Sequence, residues 1–126
     1  MKHSEAFVKI VEDAKTRVKE ISPVEVLGKQ NKKEHFHLID VREDCEWDEG
    51  HAVGALHIGR GVLERDIEKN IPNKGDLVVL YCGGGFRSAL AADNIQKMGY
   101  TNVLSMEGGM RLWREKQFPE DRPSKS

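Results

Sequence analysis

The pattern of hydrophobic and polar residues divides the chain into alternating helices and strands. Apolar positions at helical spacing, bounded by capping and turn residues, predict helices over 4–15, 24–30, 43–48, 62–67, 88–98 and around 110–113. Short apolar or alternating runs predict strands over 16–21, 35–41, within 50–58, over 77–81 and over 101–106. The buried parts of the strands are continuous apolar runs, which are typical of a parallel sheet covered on both faces. The sequence therefore predicts an α/β fold with a central five-stranded, mainly parallel sheet and helices on both faces.

The length of 126 residues predicts one domain. We expect residues 1–15 to form an N-terminal helix packed on a domain at 16–118. The strand over 16–21 is expected at an edge, because its charged residues discourage aggregation there. Residues 119–126 are expected to be a polar tail that frays.

The pattern is organised around the segment from Leu77 to Ser88, where a buried strand runs through one cysteine, three glycines and an arginine into a helix. A strand, a glycine loop and a helix N-terminus together point backbone N–H groups at one spot. The glycines at 83–85 allow positive φ and the close approach of an anion. The helix N-terminus and Arg87 both favour negative charge, so we expect Cys82 to be a thiolate nucleophile. The alternative is that Cys82 is a small buried residue beside a flexible turn.

Composition narrows the classes of partner. Twenty Lys and Arg residues against 21 Asp and Glu residues give a net charge of −1, which argues against nucleic acid or an anionic membrane as the main partner. No apolar run approaches the length of a membrane span and the first residues do not resemble a signal peptide, so we expect a cytoplasmic protein. Cys45 and Cys82 do not form a Cys-x-x-Cys pair, so we expect two thiols and no structural zinc site.

Four other polar residues are interpreted first as structural. Asp40 lies in an apolar run, where an unpaired carboxylate is costly, so we expect it to accept hydrogen bonds that hold the next loop. A catalytic role for Asp40 is the less favoured alternative. His51 and His57 are expected to brace loops or the core, and their spacing does not suggest a metal site. Cys45 is interpreted as an exposed loop thiol, and a role as resolving partner of Cys82 is less favoured.

Several segments, in order, resemble the rhodanese domain family. The first half of the family pattern is matched by Leu38-Ile39-Asp40-Val41-Arg42-Glu43, Glu46-Trp47, Gly50-His51, Gly54-Ala55 and His57-Ile58. The active-site loop is matched by Tyr81-Cys82-Gly83-Gly84-Gly85-Phe86-Arg87-Ser88-Ala89, and the closing segment by Met98-Gly99-Tyr100, Val103, Gly108-Gly109 and Trp113. The resemblance covers about Val18 to Lys116.

The resemblance implies a three-layer rhodanese-like fold and sulfur transfer through a persulfide on Cys82, without a metal or an organic cofactor. The N–H groups of the loop would cradle the terminal sulfur or an oxyanion. The implied substrate-binding residues are Gly83, Gly84, Gly85, Phe86, Arg87 and Ser88. Arg87 would hold an anionic substrate, and Asp40 and Arg42 would brace the site. Val53 stands where some members have a basic residue that helps to bind thiosulfate, and Arg60 is the candidate replacement.

The implied donors are small anionic sulfur compounds such as thiosulfate, and the implied acceptors are cyanide, a thiol or a protein cysteine. The same chemistry fits a persulfide carrier that works in a relay with a partner protein. Phosphatases and arsenate reductases that use the same cysteine are a less favoured alternative, because phosphatases of this fold have a loop one residue longer. Non-catalytic regulatory modules are also less favoured, because such relatives generally lack the cysteine.

Overall fold

A computed structural model describes residues 3 to 122, and residues 1, 2 and 123 to 126 lie outside the described part. The helices are α1 (Glu5–Lys15), α2 (Pro23–Asn31), α3 (Asp44–Asp48), α4 (Leu63–Asn70), α5 (Phe86–Lys97) and α6 (Gly109–Glu115), with a 3-10 turn at Arg60–Val62. The strands are β1 (Lys19–Ile21), β2 (His37–Asp40), β3 (His51–Ala52), β4 (Leu56–His57), β5 (Val78–Tyr81), β6 (Val103–Met106) and β7 (Glu120–Asp121).

Five of these strands form one parallel sheet in the order β1-β6-β5-β2-β4. This order confirms the predicted α/β fold and places β1 at an edge, as expected from its charged residues. β5 lies at the centre, between β6 and β2. Since parallel strands end at the same edge of a sheet, β5 delivers Cys82 to the middle of the edge where such folds bind ligands.

Both faces of the sheet are covered. On β5, Val78 and Leu80 face a core that contains residues of α4 and α5, while Val79 and Tyr81 face a second core that contains residues of α2 and α6. All four of these side chains are fully buried. The residues of β5 form a continuous apolar run because both faces of this strand are buried.

The structure differs from the sequence prediction at the segment 50–58 and at the C-terminal tail. β4 joins the main sheet beside β2, whereas β3 pairs antiparallel with β7 in a separate two-stranded sheet. The tail expected to fray is thus paired at Glu120–Asp121, and its remainder from residue 123 lies outside the described residues. The indole N–H of Trp113 donates to the Pro119 carbonyl oxygen at 2.8 Å, which turns the chain back towards β3. A two-residue polar strand has no hydrophobic periodicity, so the pattern could not indicate it.

The helix α1 packs along α5. Ser4 caps α1 by accepting a hydrogen bond from the Phe7 N–H at 3.2 Å, as predicted. Just beyond the helix, Arg17 donates two hydrogen bonds to the Asp93 carboxylate of α5, at 2.9 and 2.8 Å. This ion pair and the helix contact hold the N-terminal segment against α5.

The Arg17–Asp93 pair predicts a pH-dependent contribution to stability. Hydrogen bonds from Arg17 hold the pKa of Asp93 below its usual range, so the pair stabilises the fold above the ordinary Asp pKa of about 4 and is lost as the pH falls further. We expect Asp93→Asn to lower the free energy of unfolding by about 1 kcal/mol at neutral pH, because Arg17 is half-exposed and its charge is screened.

Urea unfolding at neutral pH and at several pH values below about 4 checks this expectation, because the difference in stability between the two proteins should shrink as the pH falls. Asp13→Asn is the matched control, since Asp13 also binds Arg17 but its side chain is 69% exposed. A loss for Asp13→Asn equal to that for Asp93→Asn would contradict the assignment.

Candidate active site

The loop after β5 encloses the Cys82 sulfur with hydrogen-bond donors. The Gly85 N–H lies 3.1 Å from Sγ and the Ser88 N–H lies 3.4 Å from it. The thiol donates to the Ser88 hydroxyl at 3.6 Å, and that hydroxyl is in turn 2.8 Å from the Ser105 hydroxyl on β6. Gly85 makes this geometry possible by adopting a φ of +98° at the start of α5.

The carbonyl groups of the same loop point the other way, towards α6. The Met110 N–H donates to the Cys82 carbonyl oxygen at 2.8 Å, and the Arg111 N–H donates to the Gly83 carbonyl oxygen at 3.0 Å. Gly109 has a φ of +51°, and a Cβ atom there would overlap the Cys82 carbonyl oxygen. The close approach of α6 therefore requires glycine at 109 and anchors the start of the cysteine loop.

Arg87 is held by the carboxylate of Glu46, which in the sequence is part of the motif Glu46-Trp47. Its guanidinium donates to the two oxygens of Glu46 at 2.8 and 3.1 Å. Glu46 lies in the first turn of α3, where it also accepts the Glu43 N–H at 3.0 Å. The hydrogen bonds from Arg87 lower the pKa of Glu46 to about 2. The pair is an ionised bridge across the mouth of the loop, so the positive charge of Arg87 is already balanced.

Asp40 and Arg42 form a buried brace beside the loop. The Arg42 guanidinium binds the Asp40 carboxylate with its Nε and Nη2 atoms, and Nη2 also donates to the Gly50 carbonyl oxygen at 2.7 Å. Asp40 accepts the Arg42 backbone N–H at 2.9 Å as well, which is the loop-holding contact expected from the sequence. Burial, together with the nearby Asp40 charge, raises the pKa of Tyr81, which keeps its hydroxyl neutral as it accepts the Ala52 N–H.

A pocket of about 450 Å³ opens over Cys82. Its lining comes from the loop, α5, α6 and the N-terminal segment, namely His3, Phe7, Cys82, Gly84, Phe86, Arg87 and Arg111. His3, Phe7 and Phe86 form an aromatic cluster with ring centroids 4.6 to 5.8 Å apart. The pocket therefore combines an aromatic wall with the cation of Arg111.

Arg60, the candidate replacement for a basic residue at position 53, lies in the 3-10 turn and binds Glu64 of α4 at 2.9 Å. Arg111 was not singled out in the sequence, because an arginine in an amphipathic helix ordinarily faces solvent. His3 and Phe7 were assigned only to a helix, and nothing in the pattern indicated that their helix reaches the cysteine loop.

A cysteine at the carboxyl end of the central parallel strand, with two backbone N–H groups directed at its sulfur, characterises an α/β protein with a thiol-centred site. Residues 22–116 match the rhodanese-like domain, and the chain belongs to this family. Among residues 3 to 122, no helix combines the length and the apolar character that a membrane crossing requires.

The chain is similar to sulfur-handling proteins. It is 33% identical over 99 residues to "Putative sulfur carrier protein YrkF" of Bacillus subtilis, across 79% of this chain and 52% of that protein. It is 35% identical over 72 residues to thiosulfate sulfurtransferase PspE of Escherichia coli, across 57% of this chain and 69% of that protein. The solved polysulfide-sulfur transferase homodimer of Wolinella succinogenes matches with a TM-score of 0.79 at 29% identity, across 94% of this chain and 89% of that chain. The chain thus spans about half the length of the first of these relatives.

The contact between Gly109 and the Cys82 carbonyl predicts that Gly109→Ala is strongly destabilising. The added methyl group would strain a positive φ and push α6 away from the loop, at a cost of about 2 kcal/mol or more. Thermal unfolding measures the loss, and any sulfur-transfer activity should fall with it because the N–H cradle loses its support.

Gly84→Ala is the matched control, since a Cβ atom at Gly84 meets open space. We expect its Tm to stay close to that of the parent. Equal stability of Gly109→Ala and the parent would show that α6 does not hold the loop.

Proposed function

We propose that the chain transfers sulfane sulfur through a persulfide on Cys82. The observation that carries the proposal is the position of two N–H donors, from Gly85 and Ser88, within 3.4 Å of the sulfur. Such donors stabilise negative charge on a thiolate and on the persulfide that replaces it, as an oxyanion hole does for oxygen. The family of the chain and the sulfur chemistry in the names of its relatives support the same reaction.

The reaction has two steps. The Cys82 thiolate attacks the outer sulfur of thiosulfate, a new S–S bond forms, and the old S–S bond breaks with its electron pair leaving on sulfite. Cys82 then carries a persulfide anion. Cyanide or a thiolate attacks the terminal sulfur, forms thiocyanate or a new persulfide, and returns Cys82 to the thiolate. No oxidant or reductant is consumed.

The cation that meets an anionic donor is Arg111 in this proposal. Arg87 helps to hold the shape of the loop and adds to the positive electrostatic potential near Cys82, but its charge is balanced by Glu46. Arg111 lines the same pocket, and its contact with Glu115 is long, at 3.6 Å. Arg60, paired with Glu64, is the weaker candidate for this role.

A persulfide carrier in a protein relay is the second candidate. A pocket of about 450 Å³ with an aromatic wall is larger than a small inorganic anion needs, which favours an acceptor that brings apolar surface with its thiol. A cytoplasmic location forms part of the proposal, because Cys45 and Cys82 are both free thiols and a reducing compartment keeps them so.

Intact mass measurement tests the persulfide. After incubation with thiosulfate, we expect a gain of one sulfur atom on the parent and on Cys45→Ser, which retains the buried cysteine. Cys82→Ser should gain none, and cyanide should remove the sulfur from the labelled proteins as thiocyanate. Labelling of Cys82→Ser would contradict the proposal. Labelling by a polysulfide or a protein persulfide, but not by thiosulfate, would favour the relay.

The role of Arg111 predicts a charge-dependent change in KM. We expect Arg111→Gln to raise the KM for dianionic thiosulfate about threefold, the effect of one partly screened charge, and to change the KM for monoanionic benzenethiosulfonate less. Steady-state kinetics with the two donors measures this difference. Arg65→Gln is the control, because Arg65 is an exposed arginine paired with Asp66 on α4. Equal KM values for the parent and Arg111→Gln would remove Arg111 from the donor site.

A further inference from the structure

The end of the sheet opposite Cys82 carries a cluster of three metal-ligating side chains. His35 and His37 stand on either side of Phe36 at the start of β2, and Asp76 lies two residues before β5. One possible ligand atom from each residue lies within 4.8 Å of those of the other two. The cluster joins positions 39 residues apart in the sequence, so the spacing of histidines along the chain did not reveal it.

The backbone holds the two sides of the cluster in place. β2 and β5 pair in parallel with His37 opposite Val78, and the His37 N–H donates to the Leu77 carbonyl oxygen at 3.0 Å. Asp76 directly precedes Leu77, so its side chain is fixed beside the His37 ring. His37 therefore lies on β2 and Asp76 in the bend that leads into β5, and both side chains are partly exposed at the amino end of the sheet.

The distances suit a small divalent ion. The His37 Nε2 and Asp76 Oδ2 atoms are 3.0 Å apart. Two ligands with bonds of about 2.0–2.1 Å to one tetrahedral ion stand roughly 3.3 Å apart. The exposed His35 ring lies next to the His37 ring, with centroids 5.3 Å apart at an angle of 80°, so a nitrogen of His35 is near the same point. An ion there would take the place of the proton in the hydrogen bond between His37 and Asp76.

We propose that His35, His37 and Asp76 bind one divalent transition-metal ion of the zinc class, with water completing its coordination. Two imidazole nitrogens and one carboxylate oxygen suit Zn²⁺, Co²⁺ or Ni²⁺, whereas Mg²⁺ and Ca²⁺ prefer ligand sets made of oxygen. The ion would bridge β2 and β5 at their amino ends. It lies roughly 20 Å along β5 from Cys82, six residues away at the strand rise, so it would stiffen the central strands without touching the sulfur.

The experiment is a Co²⁺ titration of the full chain carrying Cys45→Ser and Cys82→Ser, so that thiolates do not compete for the ion. We expect one Co²⁺ per chain with a Kd in the micromolar range, a visible ligand-field spectrum without a thiolate charge-transfer band, and a rise in Tm of several degrees with Zn²⁺. His35→Ala, His37→Ala and Asp76→Asn should each weaken binding at least about tenfold.

His3→Gln is the matched control, because it removes a histidine from the other end of the sheet and should leave metal binding unchanged. Far-UV circular dichroism and the metal-free Tm show that each variant is folded, and His35→Ala is decisive because the His35 side chain is exposed and lies outside the core. Binding by His35→Ala and Asp76→Asn that is as tight as binding by the parent would overturn the proposal, and so would no binding by the parent at millimolar Co²⁺.

Discussion

The candidate site depends on one set of backbone hydrogen bonds. Met110 and Arg111 in the first turn of α6 donate to the carbonyl oxygens of Cys82 and Gly83. These bonds anchor the first two peptide units of the loop to α6, and the chain then turns so that the Gly85 and Ser88 N–H groups face the sulfur. A loop with carbonyls facing inward would repel a thiolate and a persulfide. The anion cradle is thus a property of α5 and α6 together, and Gly109 is the residue that lets the two approach.

The charges around the cradle are divided between two arginines. Arg87 is joined to Glu46, so it fixes the position of α3 against the loop while adding little net charge. Arg111 of α6 lines the same pocket, and its contact with its partner Glu115 is longer, at 3.6 Å. In the proposed reaction Arg87 therefore holds the loop, and Arg111 meets the anionic donor. The ion pair with Arg87 also means that Glu46, a residue of the family motif, helps to hold the shape of the loop.

The helix α1 extends the site beyond the cysteine loop. Its Phe7 ring, with His3 before it, packs against Phe86 of α5 and forms one wall of the pocket. The Arg17–Asp93 pair anchors the far end of the same segment. A segment that the sequence identified only as a helix therefore helps to determine which molecules fit the pocket. In the proposed function, an aromatic wall is suited to an acceptor larger than cyanide.

The sequence by itself determined the alternation of helices and strands, the parallel sheet and the cysteine loop, because each is written in local periodicity and glycine placement. It also identified Asp40 as a hydrogen-bond acceptor for its own loop, since the partner is two residues away. Only the tertiary structure decided that Glu46 holds Arg87, that Arg111 and Phe7 line the pocket, and that β7 pairs with β3. These contacts join residues far apart in the chain, and their geometry follows from how whole elements pack, which local pattern does not encode.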